Sequence, residues 1–261
     1  GELGASAALI GALPKLEIIC CYGVGTDAID LQAARTRGIP VTNTPDVLTE
    51  DVADLALALM LAVTRQIKEG DQHVRSGAWT TGAMSLTRRM WGKRLGIIGM
   101  GRIGQAVTRR ATGFSMKISY CSCRPRQGLP YKFVADPVEL AGHCDILVAT
   151  LAGGAATKGL IGAEVFEALG PNGYFINVAR GTVADEAALL DALEGRRIAG
   201  AGLDVFMNEP AIDPRFLALD NVVLQPHHGS GTVETRRAMG QLVRDNLAAH
   251  FAGRPLLTPV V

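Results

Sequence analysis

Apolar positions in this chain fall into short runs separated by polar stretches with a helical repeat. The runs Leu95–Ile98, Lys117–Tyr120, Ile146–Thr150, Tyr174–Val178, Ala199–Val205 and Val222–Leu224 predict strands. Between them, Ile103–Thr112, a segment opened by Asp136-Pro137, Gly162–Leu169 and Glu186–Glu194 predict helices. Asp136 is placed to cap its helix with Pro137 at the first position, where the missing N–H costs nothing. Asp185 caps the next and Gly195 closes it. Strand–helix alternation of this kind predicts an α/β domain with a parallel, doubly wound sheet.

Upstream the pattern is less regular. Leu16–Cys21 and Ile39–Asn43 predict short strands around a helix over Leu31–Gly38. Thr49 is the expected cap of a helix reaching about Arg65, with Glu50 and Asp51 favouring its positive end. That helix is apolar on nearly all faces, as expected of one buried on several sides. Asp71–Trp91 reads as a helix end followed by an extended arm. The last helix spans about Thr232–Phe251, with Met239, Leu242, Val243, Leu247 and Phe251 at helical spacing.

The chain has 261 residues and is 48% hydrophobic, enough for one large or two modest domains. A net charge of +1 gives no pull toward nucleic acid or anionic lipid. The longest apolar run, Val52 to Val63, is broken by Asp54 and is too short to span a bilayer, so no membrane is expected as a partner. No basic-then-apolar leader is visible. Of five cysteines, Cys20, Cys21, Cys121, Cys123 and Cys144, none has the spacing of a metal knuckle. They are expected to be reduced thiols in buried strands of a cytoplasmic protein without a metal.

Chemistry enters with Gly99-Met100-Gly101-Arg102-Ile103-Gly104, which follows an apolar strand and opens a helix. In that context the first glycine permits a tight turn, the second lets backbone approach a pyrophosphate, and the third lets helix and strand pack closely. The N–H groups of Arg102 and Ile103 are expected to hold phosphate oxygens. An NAD enzyme places an acid at the end of the second strand, about 20 residues on. Here that strand ends Tyr120-Cys121-Ser122-Cys123-Arg124-Pro125-Arg126, with no acid. Ser122 can donate to a 2′-phosphate, and Arg124 and Arg126 can pair with it, so NADP is expected over NAD, with NAD still possible.

Three further segments carry a cation, a carboxylate and an imidazole: Asn177-Val178-Ala179-Arg180-Gly181, Asp204-Val205-Phe206-Met207-Asn208-Glu209-Pro210 and Gln225-Pro226-His227-His228-Gly229-Ser230. Behind a nucleotide fold, this trio suits hydride chemistry on a 2-oxo acid. With Gly23-Val24-Gly25-Thr26-Asp27, Thr49-Glu50-Asp51-Val52-Ala53-Asp54 and Trp91-Gly92-Lys93-Arg94-Leu95-Gly96, the chain resembles the D-isomer-specific 2-hydroxyacid dehydrogenases over nearly its whole length. The cofactor turn and Leu256-Leu257-Thr258-Pro259 look most like the glyoxylate/hydroxypyruvate reductase branch.

The resemblance implies an enzyme in two lobes: a Rossmann nucleotide domain over residues 49–226, inserted in a smaller flavodoxin-like α/β substrate domain made of residues 1–48 and 227–261. It implies His227 as the proton donor, Glu209 as its partner, and Arg180 as the grip on the substrate carboxylate. A nearby carboxylate favours the protonated, donating imidazole. Backbone N–H groups of Val24 and Gly25 would hold the other side of that carboxylate. Cofactor contacts fall on Gly99, Gly101, Arg102, Ile103, Gly104, Ser122, Cys123, Arg124, Leu151, Ala152, Thr157, Val178, Ala179, Asp204 and Gly229. In the family, Pro-His is followed by one variable residue, which makes His227 the acid and His228 the variable position.

The expected reaction is reduction of glyoxylate or hydroxypyruvate, with a phenylpyruvate- or lactate-type acid as the rival substrate and a non-catalytic dinucleotide sensor or inactive short form as the rival function. A homodimer through the nucleotide domain, using Asp71–Trp91, is also implied. The pattern departs at three places. Relatives carry several tens of residues ahead of the part matching Gly1. Many have a proline within Leu151-Ala152-Gly153, and NADP users often have an arginine at position 123.

Overall fold

The computed structural model describes residues 4–261. It divides into two compact units, one built from the chain up to Asp51 together with Ser230–Val261, the other from Val52–Gly229. The borders lie after residues 51 and 229, three residues later than the expected 48 and 226. The second shift has a physical cause: the N–H groups of His228 and Gly229 bond to Asp204, which ties both residues to the larger unit.

In the smaller unit, α1 (Ala7–Ala12) is capped by Ser6 and α2 (Leu31–Thr36) by Asp30, whose carboxylate accepts from Ala33 N at 2.8 Å. Between and after them, β1 (Ile19–Cys20) and β2 (Val41–Thr42) pair in parallel, with Ile19 opposite Val41. The ladder is shorter than the expected strands at both places. Ile10, Ala34, Ile39 and Val41 form the small core.

Helix α3 (Thr49–Arg65) begins at Thr49 itself, so Thr49 is a first-turn residue and not the cap. Val52, Ala53, Ala56, Leu57, Leu59, Met60 and Val63 are buried while Asp54, Ala58 and Arg65 are exposed, so the apolar face is broad but not all-round. The helix stops where Gln66 takes a left-handed φ of 50°. A separate helix, α4 (Ile67–Arg75), follows, where only a helix end near Asp71 was expected. Past a short turn at 78–80, residues 82–90 run without regular structure.

The remaining strands of the larger unit are β3 (Arg94–Ile98), β4 (Lys117–Cys121), β5 (Lys132–Phe133), β6 (Ile146–Ala149), β7 (Tyr174–Asn177), β8 (Gly200–Leu203) and β9 (Val222–Leu224). Its remaining helices are α5 (Arg102–Thr112), α6 (Pro137–Gly142), α7 (Ala163–Leu169), α8 (Glu186–Glu194) and α9 (Arg215–Ala218). All seven strands are parallel, in the order β5-β4-β3-β6-β7-β8-β9. The chain works outward from β3 in one direction, returns to β6, and works outward in the other, giving the doubly wound Rossmann arrangement. β5 and α9 were not foreseen; two and four residues are too few to show a period. The caps at Asp136 and Asp185 are both made. Strands β6 and β8 are buried throughout, and Phe166, Phe175 and Phe216 sit in the core beside them.

The chain closes with α10 (Val233–Phe251), capped by Thr232. The helical spacing groups Phe251 with Met239, Leu242, Val243 and Leu247 on one apolar face. Instead Phe251 is 67% exposed and Asn246 is fully buried. The cysteines also need correcting: Cys21, Cys121 and Cys144 are buried, but Cys20 is only half-buried and Cys123 is exposed in the turn after β4. Burial pushes the Cys144 thiol up to about 12, so it stays protonated. No helix among the described residues is long and apolar enough to cross a membrane.

The glycines at the start of α5 are not equivalent. A Cβ on Gly104 would collide with the Gly99 carbonyl oxygen and approach Thr150 Oγ1 to 2.9 Å, whereas one on Gly101 would meet nothing within 4 Å. Gly104→Ala is therefore expected to cost about 1–3 kcal/mol through forced separation of helix and strand. Gly101→Ala should cost about 0.5 kcal/mol or less. Urea midpoints at unchanged slope would report both, and equal midpoints for the two variants would contradict this packing.

Candidate active site

A parallel sheet sends every strand's following loop to the same edge. Here that edge carries the glycine loop after β3, Ser122–Arg126 after β4, Thr150–Ala152 after β6, Val178–Arg180 after β7, Asp204–Glu209 after β8 and Pro226–His227 after β9. The order reverses between β3 and β6, where ligands of open α/β sheets bind.

At that reversal, Gly99 turns with φ 101° and its N–H donates to Cys121 O at 2.8 Å. Leu151 packs so closely on Gly99 that a Cβ there would come within 2.5 Å of Leu151 N. Thr150 Oγ1 donates to Gly99 O at 2.6 Å, fastening the two loops together. Gly101 precedes α5 with no side-chain cap and open space where a Cβ would project. The N–H groups of a helix start beside a cleared backbone fit a pyrophosphate.

The turn after β4 adjoins this loop through the Gly99–Cys121 bond. Ser122 Oγ donates to Arg124 O at 2.6 Å, and Arg126 N donates to Tyr120 Oη at 2.7 Å. Cys123, Arg124 and Arg126 are exposed. Across the reversal, Thr157 Oγ1 donates to Ala152 O at 2.8 Å and steadies the Leu151–Ala152 loop.

After β7, Asn177 shapes the turn that presents Arg180. Its Oδ1 accepts from Ala179 N at 3.0 Å and its Nδ2 donates to Arg180 O at 3.0 Å. Val178 and Ala179 are buried, and Arg180 is half-buried. Asn177 was not foreseen in this role; an asparagine at a strand end is the available signal.

The loops after β8 and β9 form one hydrogen-bonded unit. Glu209 Oε2 lies 2.6 Å from His227 Nδ1, and Glu209 Oε1 accepts from Phe206 N at 2.8 Å. An ionised carboxylate only accepts, so Nδ1 carries the proton and Nε2 is the nitrogen left to exchange one. Burial pushes the Glu209 carboxyl up, but the His227 bond, the Phe206 N–H and the charges of His227 and Arg180 outweigh it and leave it below the usual range. His227 adopts a left-handed φ of 51°, and its N–H donates to Asp204 O at 2.8 Å. The Asp204 carboxylate accepts from His228 N at 2.6 Å and Gly229 N at 2.8 Å. Burial holds Asp204 above the usual carboxylate range, against those two N–H bonds. The His228 side chain is exposed.

Glu209, His227 and Asp204 are thus joined by direct hydrogen bonds, and Arg180 is close enough for its charge to act on Glu209. Val24 and Gly25 lie in the smaller unit, in the loop after β1.

The family model for the NAD binding domain of D-isomer specific 2-hydroxyacid dehydrogenases matches residues 57–229. A hydroxyphenylpyruvate reductase of Plectranthus scutellarioides is 53% identical over 99% of this chain and 82% of its own length. A glyoxylate/hydroxypyruvate reductase of Arabidopsis thaliana is 50% identical over the same shares. Among solved structures, an NADPH-dependent glyoxylate/hydroxypyruvate reductase of Sinorhizobium meliloti, in complex with NADP and malonate, superposes with a TM-score of 0.95 at 45% identity. That match covers 99% of this chain and 82% of the other.

The depressed Glu209 carboxyl sets a pH signature. A carboxyl whose folded value is lowered stabilises the native state above its ordinary 4.5, and that contribution fades as pH falls through the lower folded value. The stability advantage of the native protein over Glu209→Gln should be full near neutral pH and shrink below 4.5. Urea unfolding of both across that range measures it; a constant difference would mean Glu209 is not held ionised.

Proposed function

The chain belongs to the D-isomer-specific 2-hydroxyacid dehydrogenase family and is an oxidoreductase, and from that premise we propose that it uses NADPH to reduce glyoxylate or hydroxypyruvate to the 2-hydroxy acid. The observation that carries this reading is the 2.6 Å contact between Glu209 and His227 Nδ1, which leaves Nε2 as a proton donor.

The dinucleotide would be held by Gly99, Gly101 and the N–H groups of Arg102 and Ile103, with Gly104 fixing the helix behind them. Leu151, Ala152 and Thr157 would border its adenine side, and Val178, Ala179, Asp204 and Gly229 its nicotinamide side. When bound, the reduced cofactor supplies the hydride equivalent for the carbonyl carbon. Arg180 binds the substrate carboxylate through its planar fork and draws charge toward the carbonyl oxygen. Val24 and Gly25 offer backbone N–H groups to the same carboxylate. As charge grows on the carbonyl oxygen, His227 gives it the Nε2 proton, and Glu209 stabilises the imidazolium beforehand. Solvent then restores the proton to the neutral imidazole.

Preference for NADPH over NADH is supported by the turn after β4. It lacks an acid and exposes Arg124 and Arg126 in the turn that adjoins the glycine loop; the Ser122 hydroxyl donates to Arg124 O and Cys123 replaces an arginine common in NADP users, so Arg124 carries more of that binding. The 53% identical relative named hydroxyphenylpyruvate reductase makes an aromatic 2-oxo acid the second reading of the substrate.

One assay panel addresses these points: oxidation of NADPH or NADH with glyoxylate, hydroxypyruvate, pyruvate and phenylpyruvate. NADPH should be the better donor and the two small acids the better acceptors. His227→Asn should lower kcat by about 10²–10⁴-fold, the range of general acid catalysis. His228→Asn, which keeps the backbone N–H on Asp204, should stay within about tenfold. Higher kcat/KM with NADH would refute the cofactor assignment, and tight NADPH binding without turnover would favour a sensor.

We also propose a homodimer through the larger unit. Ile67, Val74, Trp79, Leu86 and Trp91 are 55%, 56%, 68%, 100% and 58% exposed, all within α4 and the arm that follows. Such an apolar surface is costly to leave in water. Sedimentation equilibrium should give twice the chain's 27.5 kDa. Trp79→Lys with Leu86→Lys should give the monomer, and a monomeric parent protein would end the proposal.

A further inference from the structure

The smaller unit holds the loop Tyr22–Gly25 by its carbonyls. Gly23 O accepts from Thr44 N at 2.9 Å, Val24 O from Asn43 Nδ2 at 2.9 Å, and Gly25 O from Cys21 Sγ at 3.3 Å. In a trans peptide the C=O and the next N–H point in opposite directions. Fixing three successive carbonyls therefore fixes the N–H groups of Val24, Gly25 and Thr26 to face away from those partners. None of these three N–H groups finds an acceptor among the described residues. Such a run of free N–H groups is suited to an anion.

Of the three carbonyl partners, Asn43 is the one that reaches the loop by its side chain amide while its backbone is held from behind. Thr258 Oγ1 donates to Asn43 O at 2.6 Å, and Asn43 N donates to Thr258 O at 3.3 Å. Thr258 Oγ1 in turn accepts from Asn246 Nδ2 at 3.0 Å. Asn246, fully buried on α10, also donates to Leu242 O at 2.9 Å, and its Oδ1 accepts from Leu257 N at 3.0 Å and Thr258 N at 3.2 Å. All four hydrogen-bonding positions of that amide are used, and an amide so satisfied in a buried site has one orientation.

We propose that Asn43, held by Thr258 and Asn246, is a positioning residue for substrate binding: it aims the Val24 and Gly25 N–H groups at the carboxylate of the 2-oxo acid. This rests on the assignment of Val24 and Gly25 to that carboxylate in the proposed function. It gives the Leu-Leu-Thr-Pro segment a role, because Leu257 and Thr258 are the residues that Asn246 captures. Asn43 touches neither the reacting carbon nor the proton donor in this account, so it should affect how tightly the acid binds.

The test uses the full-length holoenzyme. Asn43→Ala and Thr258→Val should each raise KM for glyoxylate and hydroxypyruvate about three- to tenfold, the worth of one hydrogen bond. They should leave kcat and the KM for NADPH near the parent values. Calorimetric titration of the NADP-loaded protein with oxalate, an unreactive carboxylate, should show the same loss. Thr258→Ser, which keeps the hydroxyl, should restore the affinity that Thr258→Val loses. If the parent protein turns over 2-oxo acids and binds oxalate but the variants match it, or lose kcat and NADPH affinity alike, the positioning role is wrong and the function stands. A parent that neither turns over a 2-oxo acid nor binds oxalate overturns the assignment of the loop and the inference with it.

Discussion

Asp204 takes three consecutive backbone N–H groups: its carbonyl oxygen accepts from His227, and its carboxylate from His228 and Gly229. A non-glycine residue at positive φ costs about 1–2 kcal/mol, and His227 stands at 51°. The three bonds hold it there. They also explain the glycine at 229, where a Cβ would come within 3.0 Å of the Asp204 carboxylate. The price is a buried anion, 2% exposed, whose carboxyl rises above its usual range because burial outweighs the N–H bonds it accepts. The His227 backbone is held by this buried clamp, and its ring by Glu209.

Glu209 adds the electrostatic half. Two opposing effects act on it, desolvation upward and the neighbouring cation, N–H groups and Arg180 downward, and the second set wins. Asp204 and Glu209 are thus two carboxylates in one site pushed in opposite directions by their surroundings. The one lowered faces the imidazole side chain, and the one raised faces backbone N–H groups.

Glycine placement shows how a cofactor fold balances tight and open space. Gly104 is required by contact with the strand behind it, while Gly101 is surrounded by room on the side where a phosphate would approach. The smaller unit directs its backbone by a different device. It pins carbonyls through Thr44, Asn43 and Cys21, and the trans peptide geometry then dictates where the N–H groups face.

Much of this was legible along the chain. Strand runs such as Ile146–Thr150, the caps at Asp136 and Asp185, and the glycine loop depend on neighbours within a few residues, so local pattern carries them. The candidate residues Arg180, Glu209 and His227 stand out because unusual residue types follow strand ends. What pattern missed depends on distant partners. The left-handed Gln66 that separates α3 from α4, the exposed Phe251 and the two-residue β5 leave no period to read. Asn246 lies outside the helically spaced apolar set of the last helix, yet it is buried where Leu257 and Thr258, close in sequence but beyond the helix end, return to meet it, and Asn43 joins them from 215 positions before Thr258. Residue types and spacing determined the elements and the reagents; only the folded chain decided which backbone groups each side chain would satisfy, because a buried hydrogen bond is specified by position in space.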